Sequence, residues 1–242
     1  MRIWNFLIIC LVLGLMSCGK NPEAKLCHGN WLCTEAGKII SWKNQSKVIF
    51  HFSENFPEDR KDHFSDAFEQ YNDVLAKVQI SFNDHEPAPN MVNNNPSSVV
   101  GDRYNGLYFV EGDWPWEKSH PGSQAITVTK HTGSNIVEAD VFIKKTISFY
   151  GDLRTVDFLL GAHEFGHVLG LQHTKNQSIM QATVQLSLAS APLTCYDITA
   201  LRKAYTVNIQ SAEENPCTVP EVDNGSEDEE SSVNNLLNLA FK

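Results

Sequence analysis

The chain has 242 residues, a formal net charge of −10 and 42% hydrophobic residues, enough for one core of ordinary size with segments to spare. Nothing in it is basic enough to track a phosphate backbone, so nucleic-acid binding is excluded. The negative balance lies mostly at the end: eight acidic residues and no basic one fall between Glu213 and Glu230. At the other end, Arg2 precedes an apolar run from Ile3 to Met16. That run is shorter than the roughly 20 residues of a membrane-spanning helix and reads as an export signal over residues 1–17.

The run ends in Leu15-Met16-Ser17-Cys18, which resembles the lipobox of bacterial lipoproteins. The resemblance implies cleavage before Cys18, acylation of Cys18 and a membrane held through lipid chains. An ordinary secretory signal cut at a small residue is the alternative. Gly19 stands where Asp typically retains such proteins in the inner membrane, so an outer-membrane anchor facing the periplasm or the exterior is expected. Export suits the cysteines. With Cys10 in the signal and Cys18 acylated, Cys27, Cys33, Cys195 and Cys217 remain, and four cysteines in an oxidising compartment allow three pairings. A local Cys27–Cys33 loop and a Cys195–Cys217 bridge to the tail are favoured. Residues 18–40 read as an N-terminal linker.

The folded domain is expected over residues 41–207. Val48-Ile49-Phe50-His51-Phe52 reads as its first strand. A helix over 57–77 follows: Pro57 suits the first turn, and Phe64, Ala67, Phe68, Tyr71, Val74 and Leu75 recur at helical spacing. Residues 78–82 alternate as a half-buried strand, the Asn- and Pro-rich stretch 83–105 reads as a long loop, and 106–110 is apolar enough for another strand. Residues 125–128 and 136–143 form a strand pair with a turn at Thr132-Gly133-Ser134-Asn135. A second helix is expected to start near Thr155 as N-cap, with Asp157 in the first turn, where the helix dipole favours a carboxylate.

That helix carries the chemistry. Residues 163–173 read His163-Glu164-Phe165-Gly166-His167-Val168-Leu169-Gly170-Leu171-Gln172-His173, the extended zinc-peptidase signature H-E-x-x-H-x-x-G-x-x-H. His163 and His167, four apart, project from one helical face and can grip one ion. Gly170 lets the chain leave the helix with φ > 0, so His173 can close the ligand set. Three neutral imidazoles leave a fourth position open, as in catalytic rather than structural zinc sites. Glu164 is placed to reach a zinc-bound water without ligating. A purely zinc-storing site gives no reason for that carboxylate.

The run resembles the metzincin peptidases and, among them, the matrixins. The resemblance implies an α+β domain: a mixed, twisted five-stranded sheet, a backing helix, the zinc helix, a Met-turn and a C-terminal helix. Ser178-Ile179-Met180 fits the Met-turn, with Met180 as a floor beneath the zinc ligands rather than a ligand. Ala182 occupies the position of the extra Tyr ligand of astacin-like relatives, so none is expected. Ser41-Trp42-Lys43 resembles the matrixin entry into the first strand. The strand at 125–128 corresponds to the sheet edge over the cleft, where a substrate peptide in extended form adds as a strand. Residues 183–194 correspond to the outer wall of the specificity pocket, and 194–205 to the last helix. There Asp197 aligns with an Asp that supports the Met-turn, while Tyr196 replaces a second Asp, so activation by an anchored N-terminus is not carried over.

The family's inhibitory switch places a Cys thiolate on the zinc. Cys27 could play that part, but its context, Lys25-Leu26-Cys27-His28-Gly29, departs from Pro-Arg-Cys-Gly, and there is no room for a folded propeptide. Calcium is a further candidate cofactor whose ligands cannot be assigned. His28, His51, His63, His85, His120 and His131 lack the structural-zinc pattern and receive no role. Residues 208–242 read as an acidic, disordered tail. The expected protein is therefore a monomeric, lipid-anchored zinc endopeptidase in which Glu164 is the general base. The rival readings are a surface lipoprotein that binds zinc or a partner without turnover, and a cell-wall peptide hydrolase.

Overall fold

The computed structural model describes residues 25–26, 31–75, 78–83, 85–145, 152–175, 178–182 and 193–205. Cys18, Cys27, Cys217, the signal, the acidic tail and most of the expected pocket wall lie outside these residues. Seven strands are described: β1 (Lys25–Leu26), β2 (Leu32–Cys33), β3 (Lys47–Phe52), β4 (Gln79–Phe82), β5 (Gly106–Val110), β6 (Ala125–Thr132) and β7 (Asn135–Lys144). The helices are α1 (Glu58–Val74), α2 (Leu153–Val168) and α3 (Cys195–Ala204). β1 and β2 pair with each other, and the other five form one sheet in the order β4-β3-β5-β7-β6. It is mixed: β3, β4, β5 and β7 run parallel, and β6 returns antiparallel to β7 at the edge. This is the α+β architecture expected.

Side-chain alternation divides the interior. Leu107 and Phe109 of β5, with Ala139, Val141 and Ile143 of β7, face α1 and α2 in the main core. Tyr108, Val110 and Phe142 point the other way, into a smaller core with Val99 and Trp114. Both faces of β5 are thus covered, as its continuous apolar run requires. Glu138 and Asp140 share the parity of Phe142 and enter that second face. Glu138 accepts hydrogen bonds from the backbone N–H groups of Gly101 and Arg103, and Asp140 from that of Gly106. The 83–105 loop is thereby pinned to the sheet; it contains two short 3₁₀ turns, Val92–Asn94 and Pro96–Ser98.

Several boundaries differ from the sequence reading. Pro57 is the extended N-cap of α1 rather than part of its first turn, and the helix stops at Val74 with Leu75 as C-cap. α2 begins earlier than expected: Asp152 is the N-cap, and its carboxylate takes the backbone N–H of Thr155 at 2.9 Å and the Thr155 hydroxyl at 2.8 Å. A carboxylate satisfies an orphan N–H at a helix start at least as well as a hydroxyl, so Thr155 becomes its partner. Asp157 is no dipole partner in solvent. It is fully buried, bonded to Arg60 Nε at 2.8 Å and to Nδ1 of His63 at 2.9 Å, and so clamps α1 to α2.

Residues 31–40, read as linker, are instead built into the domain. Trp31, Cys33 and Ile40 are buried, and the Trp31 indole N–H donates to the carbonyl of Ala200 at 2.9 Å. Cys33 and Cys195 are both disulfide-bonded.

Candidate active site

α2 delivers two imidazoles and must then stop sharply to deliver the third. It ends in a Schellman motif: the N–H of Leu171 reaches the carbonyl of Gly166 and that of Gly170 reaches His167, both at 2.9 Å. Gly170 has φ 88°, and a Cβ there would come within 2.4 Å of the Ile40 carbonyl oxygen. Backbone conformation and space both require glycine. The remaining carbonyls of the helix end are capped from afar. The Trp42 indole donates to Val168 at 2.9 Å, the Tyr205 hydroxyl to Leu169 at 3.1 Å, and the N–H of Leu32 to Gly170 at 2.8 Å. These partners satisfy the orphan groups that a helix end leaves behind, and they hold the 170–173 turn rigidly.

His163, His167 and His173 are thus brought together, each offering one ligand atom and all three atoms within 4.8 Å of one another. Nε2 of His173 lies 3.2 Å from Nε2 of both His163 and His167. The other ring nitrogens are already engaged: Nδ1 of His163 meets the Ile179 carbonyl at 2.7 Å, and Nδ1 of His167 the Leu171 carbonyl at 2.9 Å. A carbonyl only accepts, so each Nδ1 carries the proton and each Nε2 presents its lone pair inward. Burial, reinforced by the neighbouring imidazoles, lowers the His163 pKa well below its usual range and that of His167 to about 4. Burial lowers His173 as well. All three rings are neutral near pH 7, the form that binds metal. The converging neutral nitrogens fit zinc, and no other such cluster of His, Cys or carboxylates occurs among the described residues.

Glu164 is also buried, at 3% exposure. Its Oε2 accepts from the Thr127 hydroxyl at 2.6 Å. Burial raises its pKa to about 7, against the opposing pull of that hydrogen bond, which places a base near neutrality. Thr127 went unnoticed in the sequence, although alternation marks it. Ile126 and Val128 pack against the second core, so Thr127 must face α2.

The Met-turn closes the floor. Met180 is fully buried, its carbonyl accepts the N–H of Thr174 at 2.9 Å, and its N–H is held by Ser178 Oγ at 2.8 Å. Asp197 accepts from Ser178 Oγ and from the N–H of Ile179, and the same carboxylate caps α3 through Thr194. A single buried acid therefore links the last helix to the turn whose Ile179 carbonyl orients His163. Gly166, a filler position of the signature, proves structural too: Met180 packs directly on it, and a Cβ there would sit 2.2 Å from the thioether sulfur.

The cleft over these groups measures about 450 Å³ and runs along β6 from Trp116 and His120 to Gln172 and His173. The matrixin sequence profile matches residues 41–206, and no curated protein matches the chain. Among solved structures the chain is similar to high choriolytic enzyme 1, a hatching-enzyme zinc protease of the medaka Oryzias latipes. That similarity is 11% in identity with a TM-score of 0.40, covering 74% of this chain and 99% of the other.

Proposed function

Since this chain belongs to the matrixin family and is a zinc metallopeptidase, we propose that it is an endopeptidase acting on proteins of the periplasm or cell exterior. The observation that carries the reading is Glu164: a buried carboxylate beside three converging imidazoles, fixed by Thr127 and poised near neutral pH. His163, His167 and His173 would hold the zinc, which when bound supplies Lewis acidity toward water and the scissile carbonyl. Glu164 removes the proton of the attacking water at Oε1, with Oε2 held by Thr127, and later gives it to the nitrogen of the departing amine. β6 is the outer strand of the sheet. Its outer edge, which pairs with no other described strand, offers backbone N–H and C=O groups to an extended peptide, which supports an internal stretch of chain as substrate. The apolar N-terminal run ending in Cys18 supports export and lipid anchoring.

The test is Glu164→Ala in the zinc-loaded protein, assayed on a peptide library. Hydrolysis should fall by about a hundred- to ten-thousand-fold with undiminished zinc by elemental analysis. Wild-type turnover in the variant removes Glu164 as base. A zinc-loaded wild type that cleaves no peptide leaves a metal-binding surface lipoprotein, and one that cleaves only cell-wall peptides changes the substrate class.

A further inference from the structure

Thr127 faces two ways. Its hydroxyl donates to Oε2 of Glu164 at 2.6 Å, with the Glu164 carbonyl oxygen further off at 3.2 Å. A hydroxyl has a single proton to give, and the short bond to the carboxylate takes it. Oε2 is thereby engaged, and Oε1 is left as the oxygen that works on water. The backbone of the same residue points elsewhere. The Gln124 carbonyl accepts the N–H of Lys144 of β7 at 2.8 Å, and along an antiparallel strand successive residues turn their N–H and C=O groups to opposite sides. Gln124, Ile126 and Val128 therefore address β7. Ala125, Thr127 and Thr129 address the outer edge, which pairs with no other described strand.

We propose that Thr127 is a positioning residue that couples substrate docking to the general base: a peptide adding to β6 takes up the backbone of the same residue whose hydroxyl aims Glu164. This deepens the peptidase reading and rests on it. Without a peptide, β6 is held by β7 along one side only, and Ile126 to His131 are no more than half-buried. An added strand would hold Thr127 from the other side as well. Threonine is β-branched and stiff at χ1, so a shift of its backbone moves the hydroxyl instead of being absorbed by rotation. The partner carboxylate stands on α2, which is capped at its start by Asp152 and closed at its end by the Gly170 turn. The side-chain torsions of Glu164 are thus the freedom that the hydroxyl removes. Binding energy gained along the strand, away from the reacting atoms, is in this way carried into the chemical step.

The test uses the full zinc-loaded chain and peptides in which a single backbone amide flanking the cleaved bond is replaced by an ester, which deletes its N–H. Thr127→Val keeps the side-chain shape and the outward backbone and removes only the hydroxyl. It should lower kcat by about tenfold, less than removal of the base itself, with KM and zinc content unchanged, and Thr127→Ser should restore most of kcat. In the wild type, the ester that unpairs Thr127 should lower kcat as well as raise KM; in Thr127→Val the same ester should raise KM alone. An unchanged kcat in Thr127→Val, an equal loss in Thr127→Ser, or the same ester effect on kcat in both chains overturns the proposal and leaves the peptidase intact. Should the valine chain lose zinc, Thr127→Ser against Thr127→Ala, which differ by the hydroxyl alone, carries the comparison. Peptide affinity is read separately by titration onto the Glu164→Ala chain. There the partner carboxylate is gone, so adding Thr127→Val should change neither affinity nor residual turnover, and a further loss of either would make Thr127 a binding or packing residue instead. A wild type that binds these peptides and cleaves none sinks the peptidase reading and the coupling with it.

Discussion

Gly166→Ala places a methyl group where α2 meets the Met-turn, and two effects of opposite sign compete. Ala is a better helix former than Gly by about 1 kcal/mol, so an open position would gain stability. Here the new Cβ lies 2.2 Å from Met180 Sδ, 3.0 Å from its Cε and 3.2 Å from the Tyr71 hydroxyl. Met180 is fully buried, and the contact involves its sulfur as well as its terminal methyl, so rotating the tip alone does not relieve it. Overpacking of this kind costs about 1–3 kcal/mol. The clash wins, with a net loss near 1 kcal/mol, or about 2–4 °C in Tm for a domain of this size.

The second consequence is chemical. Displacing Met180 moves the adjacent Ile179 carbonyl, which holds Nδ1 of His163. Disturbing such a ligand-orienting bond weakens metal binding by roughly 10- to 100-fold, measurable by zinc competition with a chromophoric chelator. The decisive assay is a double-mutant cycle in denaturant. In a Met180→Ala background the sulfur is gone, and Gly166→Ala should change sign and stabilise by up to about 1 kcal/mol. An equal loss in both backgrounds would refute the argument that Met180 is what forbids a side chain at this position.

Two further outcomes follow from buried charge. Asp157→Ala strands the guanidinium of Arg60, a residue 7% exposed, and should cost about 3–5 kcal/mol in urea unfolding; a loss below about 1 kcal/mol would mean that the clamp between α1 and α2 is dispensable. Asp140 is fully buried, and burial first, then the nearby Glu138 and Asp102 carboxylates, raise its pKa to about 8. Tyr108 of β5 faces the same group, and Lys130 of β6 acts on Asp102. Between the usual carboxyl range near 4 and about 8, the folded chain keeps a proton that the unfolded chain releases, so stability falls as pH rises, by up to about 1.4 kcal/mol per unit. Asp140→Asn keeps an acceptor for Gly106 and removes the titration. Its gain in Tm over wild type should therefore be larger at pH 8 than at pH 5, and a gain independent of pH would refute the assignment.

What was legible in the sequence is what local periodicity encodes. Phe64, Ala67, Phe68 and Tyr71 announced α1 by spacing alone, alternation announced β4, an unbroken apolar run announced β5, and the eleven-residue run from His163 to His173 named the residues that now converge. What was not legible depends on partners far along the chain. Asp157 looked like a dipole residue because Arg60, 97 positions away, is invisible to a local window. Gly166 occupies an unspecified position of the signature, and the Met180 side chain that packs on it lies 14 positions further along. The linker reading of 31–40 failed for the same reason: its hydrogen bonds go to Gly170 and Ala200, the two elements that bracket the Met-turn. The signature therefore specifies which atoms meet a metal, while the rigidity that keeps them there resides in Trp42, Tyr205, Asp197 and Leu32, none of which belongs to it. A peptide carrying residues 163–173 alone would hold every ligand and none of these caps. Its ligands would have to be ordered at the expense of metal affinity, and that expense is what the surrounding fold removes.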